Sequence, residues 1–198
     1  MTIIKRLIPI NNYSRPGRKL KCVKAIVLHN VGKAGQGAKD VIEYFCSLKD
    51  QKDDNKPDVS ASAHYVIDLD GTVYQCIPND EKAYHVGSTI KDPKSGRIYT
   101  DIARTVFGDY ASNPLTMSPN ACSLGIEMCH GPMGEISAKT YNAAVMLCLS
   151  LMKEFGLNTA GILTHHDVVG WKECPLLWTK EPNKFVSFKL DLRRLSCL

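Results

Sequence analysis

The apolar positions of this chain change period several times, and each change marks an element. Ala25-Ile26-Val27-Leu28 is a solid apolar run that stops at polar His29-Asn30. That is the pattern of a buried strand over 24–29 delivering side chains at its tip. Residues 62–68 and 72–77 read as two strands joined through Leu69-Asp70-Gly71, a hairpin signal. Residues 122–128 read as another strand, in which Leu124, Ile126 and Met128 alternate with Gly125, Glu127 and Cys129. The last strand is expected over 162–165.

Helical periods lie between these strands. Ala38, Val41, Ile42, Phe45 and Leu48 predict an amphipathic helix over 37–49. Ser137 can cap a helix running through Phe155, with Gly156 as its stop. Phe185, Phe188, Leu192 and Leu195 follow Pro182 at helical spacing and predict a closing helix with basic residues near its end. Residues 1–20 read as an extended lead-in along the surface. Residues 50–58 form a charged, solvated loop. Residues 88–121 are irregular apart from a short helix over 101–107, and a loop this long is usually functional. The order β-α-β-β-β-α-β-α implies an α/β fold, a mixed central sheet with helices on its faces.

Composition narrows the class without naming it. The 198 residues suit one domain with a proper core, and neither repeats nor a low-complexity linker divide them. A net charge of +5 is mild; it suits anionic polymers, and nucleic acid is not expected as a partner. No apolar stretch is long enough for a membrane span or anchor. The N-terminal apolar stretch is broken by Lys5-Arg6 and lacks a small-residue cleavage site, so it does not read as a signal peptide. The expectation is a protein held in the cytoplasm. Eight cysteines occur without any CxxC spacing. Seven read as buried thiols and Cys174 as a ligand.

The densest chemistry lies in Leu163-Thr164-His165-His166-Asp167-Val168-Val169-Gly170-Trp171-Lys172-Glu173-Cys174-Pro175. Neighbouring strand residues point to opposite faces, so one histidine of the pair can face a site together with Cys174. Imidazole and thiolate are a good zinc pair. His29, at the tip of the first strand, is the distant third candidate. Three protein ligands leave a fourth position for water, the catalytic arrangement.

The segments 26–30, Ser62-Ala63-His64-Tyr65-Val66-Ile67-Asp68 with 70–73, Ser123-Leu124-Gly125-Ile126-Glu127, and 165–168 with 172–175 occur in one order. Together they resemble the zinc-dependent N-acetylmuramoyl-L-alanine amidases of the phage-lysozyme and peptidoglycan-recognition-protein superfamily, the type 2 amidases. Tyr84-His85-Val86-Gly87 resembles a further turn of that family.

The resemblance implies that zinc is held by His29, His165 and Cys174, with His165 chosen over His166 by register. It implies that Glu127 is the general acid–base and that Lys172 stabilises the oxyanion. Another branch uses a tyrosine where this chain has Ala63, which leaves the base role to Glu127. Asn30, His64 and His85 are candidate contacts for peptide or muramoyl groups; His64 and His85 could equally bond to backbone. The expected reaction is cleavage of the lactyl-to-L-alanine amide of peptidoglycan, by a single catalytic domain without a wall-binding module. A phage or prophage endolysin released to the wall is one setting. A cytoplasmic amidase recycling muropeptides is another, and a non-catalytic peptidoglycan-binding module is the rival of a different kind.

Overall fold

The computed structural model describes residues 2–51, 57–111 and 118–196. Six strands form one sheet: β1 (Ile3–Lys5), β2 (Ala25–Asn30), β3 (Tyr65–Ile67), β4 (Val73–Gln75), β5 (Ser123–Met128) and β6 (Ile162–Thr164). Their spatial order is β1-β4-β3-β5-β2-β6. Only the β3–β4 hairpin is antiparallel; β1–β4, β3–β5, β5–β2 and β2–β6 are parallel. The helices are α1 (Ala38–Ser47), α2 (Asp101–Phe107), α3 (Ala138–Phe155), α4 (His165–Val169), α5 (Leu176–Lys180) and α6 (Pro182–Ser196). The α/β class with a mixed sheet flanked by helices is therefore the observed one.

Both faces of the sheet are covered, which is why β2 is apolar without alternation. Ile26, Leu28, Leu124, Ile126 and Met128 pack under α3 and α6. On that side Phe188 is fully buried, and its ring lies 5.0 Å from Trp178 and 5.4 Å from Tyr141. On the opposite face, Val41, Ile42 and Phe45 of α1 cover Val66. Farther along that face, Ala103 and Phe107 of α2 and Val168 and Val169 of α4 cover Ala25 and Val27. The next residue on that face of β2 is His29, which falls between the two clusters.

Several expected boundaries shift. The N-terminal lead-in contains β1, whose three residues are all exposed and carry no buried pattern to betray a strand. It pairs along β4, and Ile8 beyond it is fully buried. The hairpin strands are shorter than expected, three residues each. Ser137 and Gly156 bound α3 as expected: the Ser137 hydroxyl accepts from Thr140 N, and Gly156 sits at φ 63°. The last strand stops at Thr164 instead of His165. There the Thr164 hydroxyl accepts from Asp167 N, and the Asp167 carboxylate accepts from Thr164 N. This reciprocal cap starts α4 at His165. Residues 52–56 of the charged loop and 112–117 of the long segment lie outside the described residues, as does Cys197. Among the described residues no helix is long and apolar enough to cross a membrane.

Candidate active site

β2, β5 and β6 are mutually parallel, so their carboxyl ends emerge at one edge of the sheet, where open α/β sheets bind ligands. His29 is the penultimate residue of β2, Glu127 is the penultimate residue of β5, and His165 directly follows β6. The chain then turns at Gly170 and brings Cys174 back beneath His29. Asn30 secures that return, because its Oδ1 accepts from Leu176 N at 2.7 Å. The Cys174–Pro175 peptide is cis.

The three expected ligands come together. Donor atoms of His29, His165 and Cys174 all lie within 4.8 Å of one another, and all three residues are buried. His29 Nδ1 is 2.9 Å from His165 Nδ1 and 3.9 Å from Cys174 Sγ. A tetrahedral zinc ion, with bonds of about 2.0–2.1 Å to nitrogen and about 2.3 Å to sulfur, separates two nitrogens by roughly 3.3 Å and nitrogen from sulfur by roughly 3.6 Å. The observed spacings bracket those values, so small side-chain rotations would bring all three within reach of one ion. Burial also prepares the donors. It holds His29 well below the ordinary histidine range and lowers His165 to about 3, keeping both imidazoles neutral. It pushes the Cys174 thiol up to about 12, with Glu127 adding to the effect. A bound cation would reverse that last shift by coordinating the thiolate.

Glu127 faces the same space. Its Oε2 is buried and has no hydrogen-bond partner. Burial raises its carboxyl to about 8, against the pull of the Lys172 charge. Lys172 lies on the exposed wall of the cleft, beside Trp171. The cleft has a volume of ≈ 930 Å³. Ser88, Thr89 and Ile90 of the long irregular segment line it, as do Ser118 and Asn120.

The remaining expected residues fall differently. His166 turns away from the donors and bonds through Nδ1 to Lys172 O at 3.1 Å. The separation of the histidine pair thus arises at the start of a helix, not from strand alternation. His64, a candidate for either substrate contact or backbone bonding, is fully buried and does not line the cleft. Its Nδ1 accepts from Gly125 N at 3.0 Å and its Nε2 contacts Glu81 O at 2.9 Å, so both nitrogens serve backbone. Asn30 borders the cleft, but its amide is spent on Leu176 N and Val31 O. It holds the ligand loop through Leu176 N, and its Nδ2 is shared between Val31 O and His130 Nε2. His85 lines the cleft, yet its Nδ1 is 3.1 Å from His29 Nε2.

Two residues escaped the sequence reading. Asn120 Oδ1 accepts from both His85 N and Val86 N, fixing the Tyr84–Gly87 turn. Gly125 gives room to His85: a Cβ there would lie 2.5 Å from His85 Cγ. Asn120 lies in an irregular stretch without periodicity, so nothing in the sequence flagged it. Gly125 serves a residue 40 positions away in the chain, so its own neighbours carry no sign of its purpose.

Comparison with known proteins agrees with this geometry. Residues 18–176 match the family described as N-acetylmuramoyl-L-alanine amidase. The chain is 32% identical over 184 residues to N-acetylmuramoyl-L-alanine amidase BlyA of Bacillus subtilis (strain 168), covering 92% of this chain and 44% of that protein. It is 30% identical over 190 residues to N-acetylmuramoyl-L-alanine amidase CwlL of Bacillus licheniformis, covering 94% of this chain and 45% of that protein. The chain thus spans less than half the length of these relatives. Among solved structures, a mutant endolysin from Bacillus subtilis superposes with a TM-score of 0.65 at 27% identity, covering 97% of this chain and 99% of the other. The catalytic domain of XlyA superposes with a TM-score of 0.64 at 26% identity, covering 97% and 99%. With its sheet, its cluster of donors and this match over most of its length, the chain belongs to the N-acetylmuramoyl-L-alanine amidase family.

Proposed function

We propose that the chain is a zinc-dependent N-acetylmuramoyl-L-alanine amidase that cuts the amide between the muramoyl lactyl group and L-alanine of peptidoglycan. The observation that carries this reading is the buried, partnerless Glu127 Oε2 beside a three-donor His/His/Cys cluster. A structural metal site would have no use for such an oxygen, whereas a hydrolytic one requires it.

His29, His165 and Cys174 would hold the zinc. When bound, zinc supplies Lewis acidity, making a water more acidic and the amide carbonyl more electrophilic. Glu127 accepts the proton of the attacking water. It must be ionised to do so; burial opposes that, and the positive charge of Lys172, reinforced by a cation at the ligands, favours it. Lys172 then stabilises the developing oxyanion. Glu127 returns its proton to the leaving nitrogen of L-alanine, and the stem peptide departs. The rest of the cleft has room for sugar and peptide on either side of the scissile bond.

The setting we favour is wall lysis of the endolysin type, supported by similarity to a protein described as an endolysin. The test is purified protein on soluble muropeptides and on intact wall, with zinc, with chelator, and with zinc restored. Amide cleavage that disappears with chelator and returns with zinc supports the reading, and faster cleavage of intact wall supports the endolysin setting. Zinc binding without amide cleavage on either substrate would replace the enzyme with a peptidoglycan-binding module.

A further inference from the structure

We propose that His85 is a positioning residue for the metal ligand His29 and not a substrate contact. A chain of hydrogen bonds with a single allowed direction carries the inference. It starts at Ser123, whose hydroxyl donates to Pro119 O at 2.7 Å. Having given its proton there, Ser123 Oγ offers only lone pairs to His85 Nε2, 3.2 Å away. Ser123 O, at 3.4 Å from the same nitrogen, is likewise only an acceptor. So His85 carries its proton on Nε2, and its Nδ1 is bare. That bare nitrogen faces His29 Nε2 at 3.1 Å. His29 must therefore carry its proton on Nε2, leaving the Nδ1 lone pair aimed at His165 and Cys174.

The backbone carbonyl of Pro119 thus dictates, through Ser123 and His85, which nitrogen of His29 can bind a cation. Ligating histidines need such a partner to fix tautomer and ring orientation. The surroundings hold His85 to that task. Its ring meets His29 edge-on, with centroids 5.3 Å apart at 86°. Asn120 Oδ1 pins its backbone through two N–H bonds. Gly125 is the only residue that admits its ring, since any Cβ there would clash with it. With both nitrogens engaged, His85 has none to offer substrate, although it borders the cleft.

The inference rests on the metal site proposed above, and its test separates the two. Wild type, His85→Leu, His85→Asn and Ser123→Ala would be titrated with zinc against a chromophoric chelator. Their cobalt(II) forms would be compared by visible absorption, and their metal-free forms by thermal melting. Leucine fills the space of the ring but leaves His29 Nε2–H without an acceptor; asparagine places an oxygen near the lost Nδ1. His85→Leu should weaken zinc binding about 10–100-fold and alter the cobalt spectrum. His85→Asn should recover most of the affinity and the wild-type spectrum. Ser123→Ala, a small change that keeps Ser123 O in place, should weaken zinc by a smaller factor. If His85→Leu binds zinc as wild type does while its KM for muropeptide rises, His85 contacts substrate and the inference fails. It also fails if leucine and asparagine weaken zinc equally, which would mean packing alone. If wild type binds no zinc, the metal site itself fails.

Discussion

His29 and Glu127 are register partners on adjacent parallel strands, each one residue from its strand's end. Neighbouring strands lie about 4.8 Å apart, so the pairing sets the proposed metal ligand beside a carboxylate before any loop is placed. The sheet, not a flexible segment, therefore fixes how His29 and Glu127 stand relative to each other. Glu127→Gln keeps the shape of the side chain and removes its basicity. It should retain zinc within a few-fold of wild type and lose roughly 10²–10⁴ in kcat on muropeptide. Retained hydrolysis would remove Glu127 from the mechanism.

The ligand assignment predicts unequal effects at neighbouring positions. Cys174→Ser should lower zinc affinity by at least about tenfold, because it replaces a soft thiolate with a weak hydroxyl donor. His166→Ala, whose ring points to Lys172 O, should change zinc affinity little. Zinc at a thousandfold excess over its Kd should stabilise wild type by about 4 kcal/mol. Chemical denaturation with and without zinc measures all three. Equal losses in both variants would reopen the choice between His165 and His166.

The metal-free protein should be acid-sensitive. Burial lowers His64 to about 4 and His165 to about 3, and holds His29 and His85 well below their ordinary range. Unfolded, each titrates near 6.5. Below that pH the unfolded chain binds protons that the folded chain refuses, so stability falls as pH drops from about 6.5 toward the folded values. Between pH 7 and 5 the loss should be roughly 1–2 kcal/mol for each of His64 and His165. Urea denaturation in chelator at both pH values measures it. A flat profile would mean that these rings protonate freely in the fold.

Helix α6 lies beyond the family match, which ends at residue 176, yet it closes one face of the core. Phe188→Ala should cost about 3–5 kcal/mol, read from the denaturation midpoint. A loss under about 1 kcal/mol would show that α6 is peripheral.

Much of this was legible in the chain. The run ending at His29 and the alternation around Glu127 placed both residues correctly, because apolar periods report burial directly. The capping serine and stop glycine of α3 were read for the same local reason. What escaped was non-local. β1 is an exposed edge strand without a periodic face, and its partner is some 70 positions away. The apolar run before Thr164 suggested a strand continuing through His165, where a capping box in fact starts a helix. His64 stayed open between substrate and backbone because sequence cannot say that Gly125 N and Glu81 O take its two nitrogens. His85 and Gly125 depend on each other, and their contact exists only once β5 is in the sheet.

The central claim is tested most directly by end-group analysis of purified wall after digestion. Digestion should yield new amino-terminal L-alanine on released stem peptides and no new reducing sugar ends, and chelator should abolish both release and lysis. New reducing ends, or peptides cut elsewhere than at L-alanine, would contradict it.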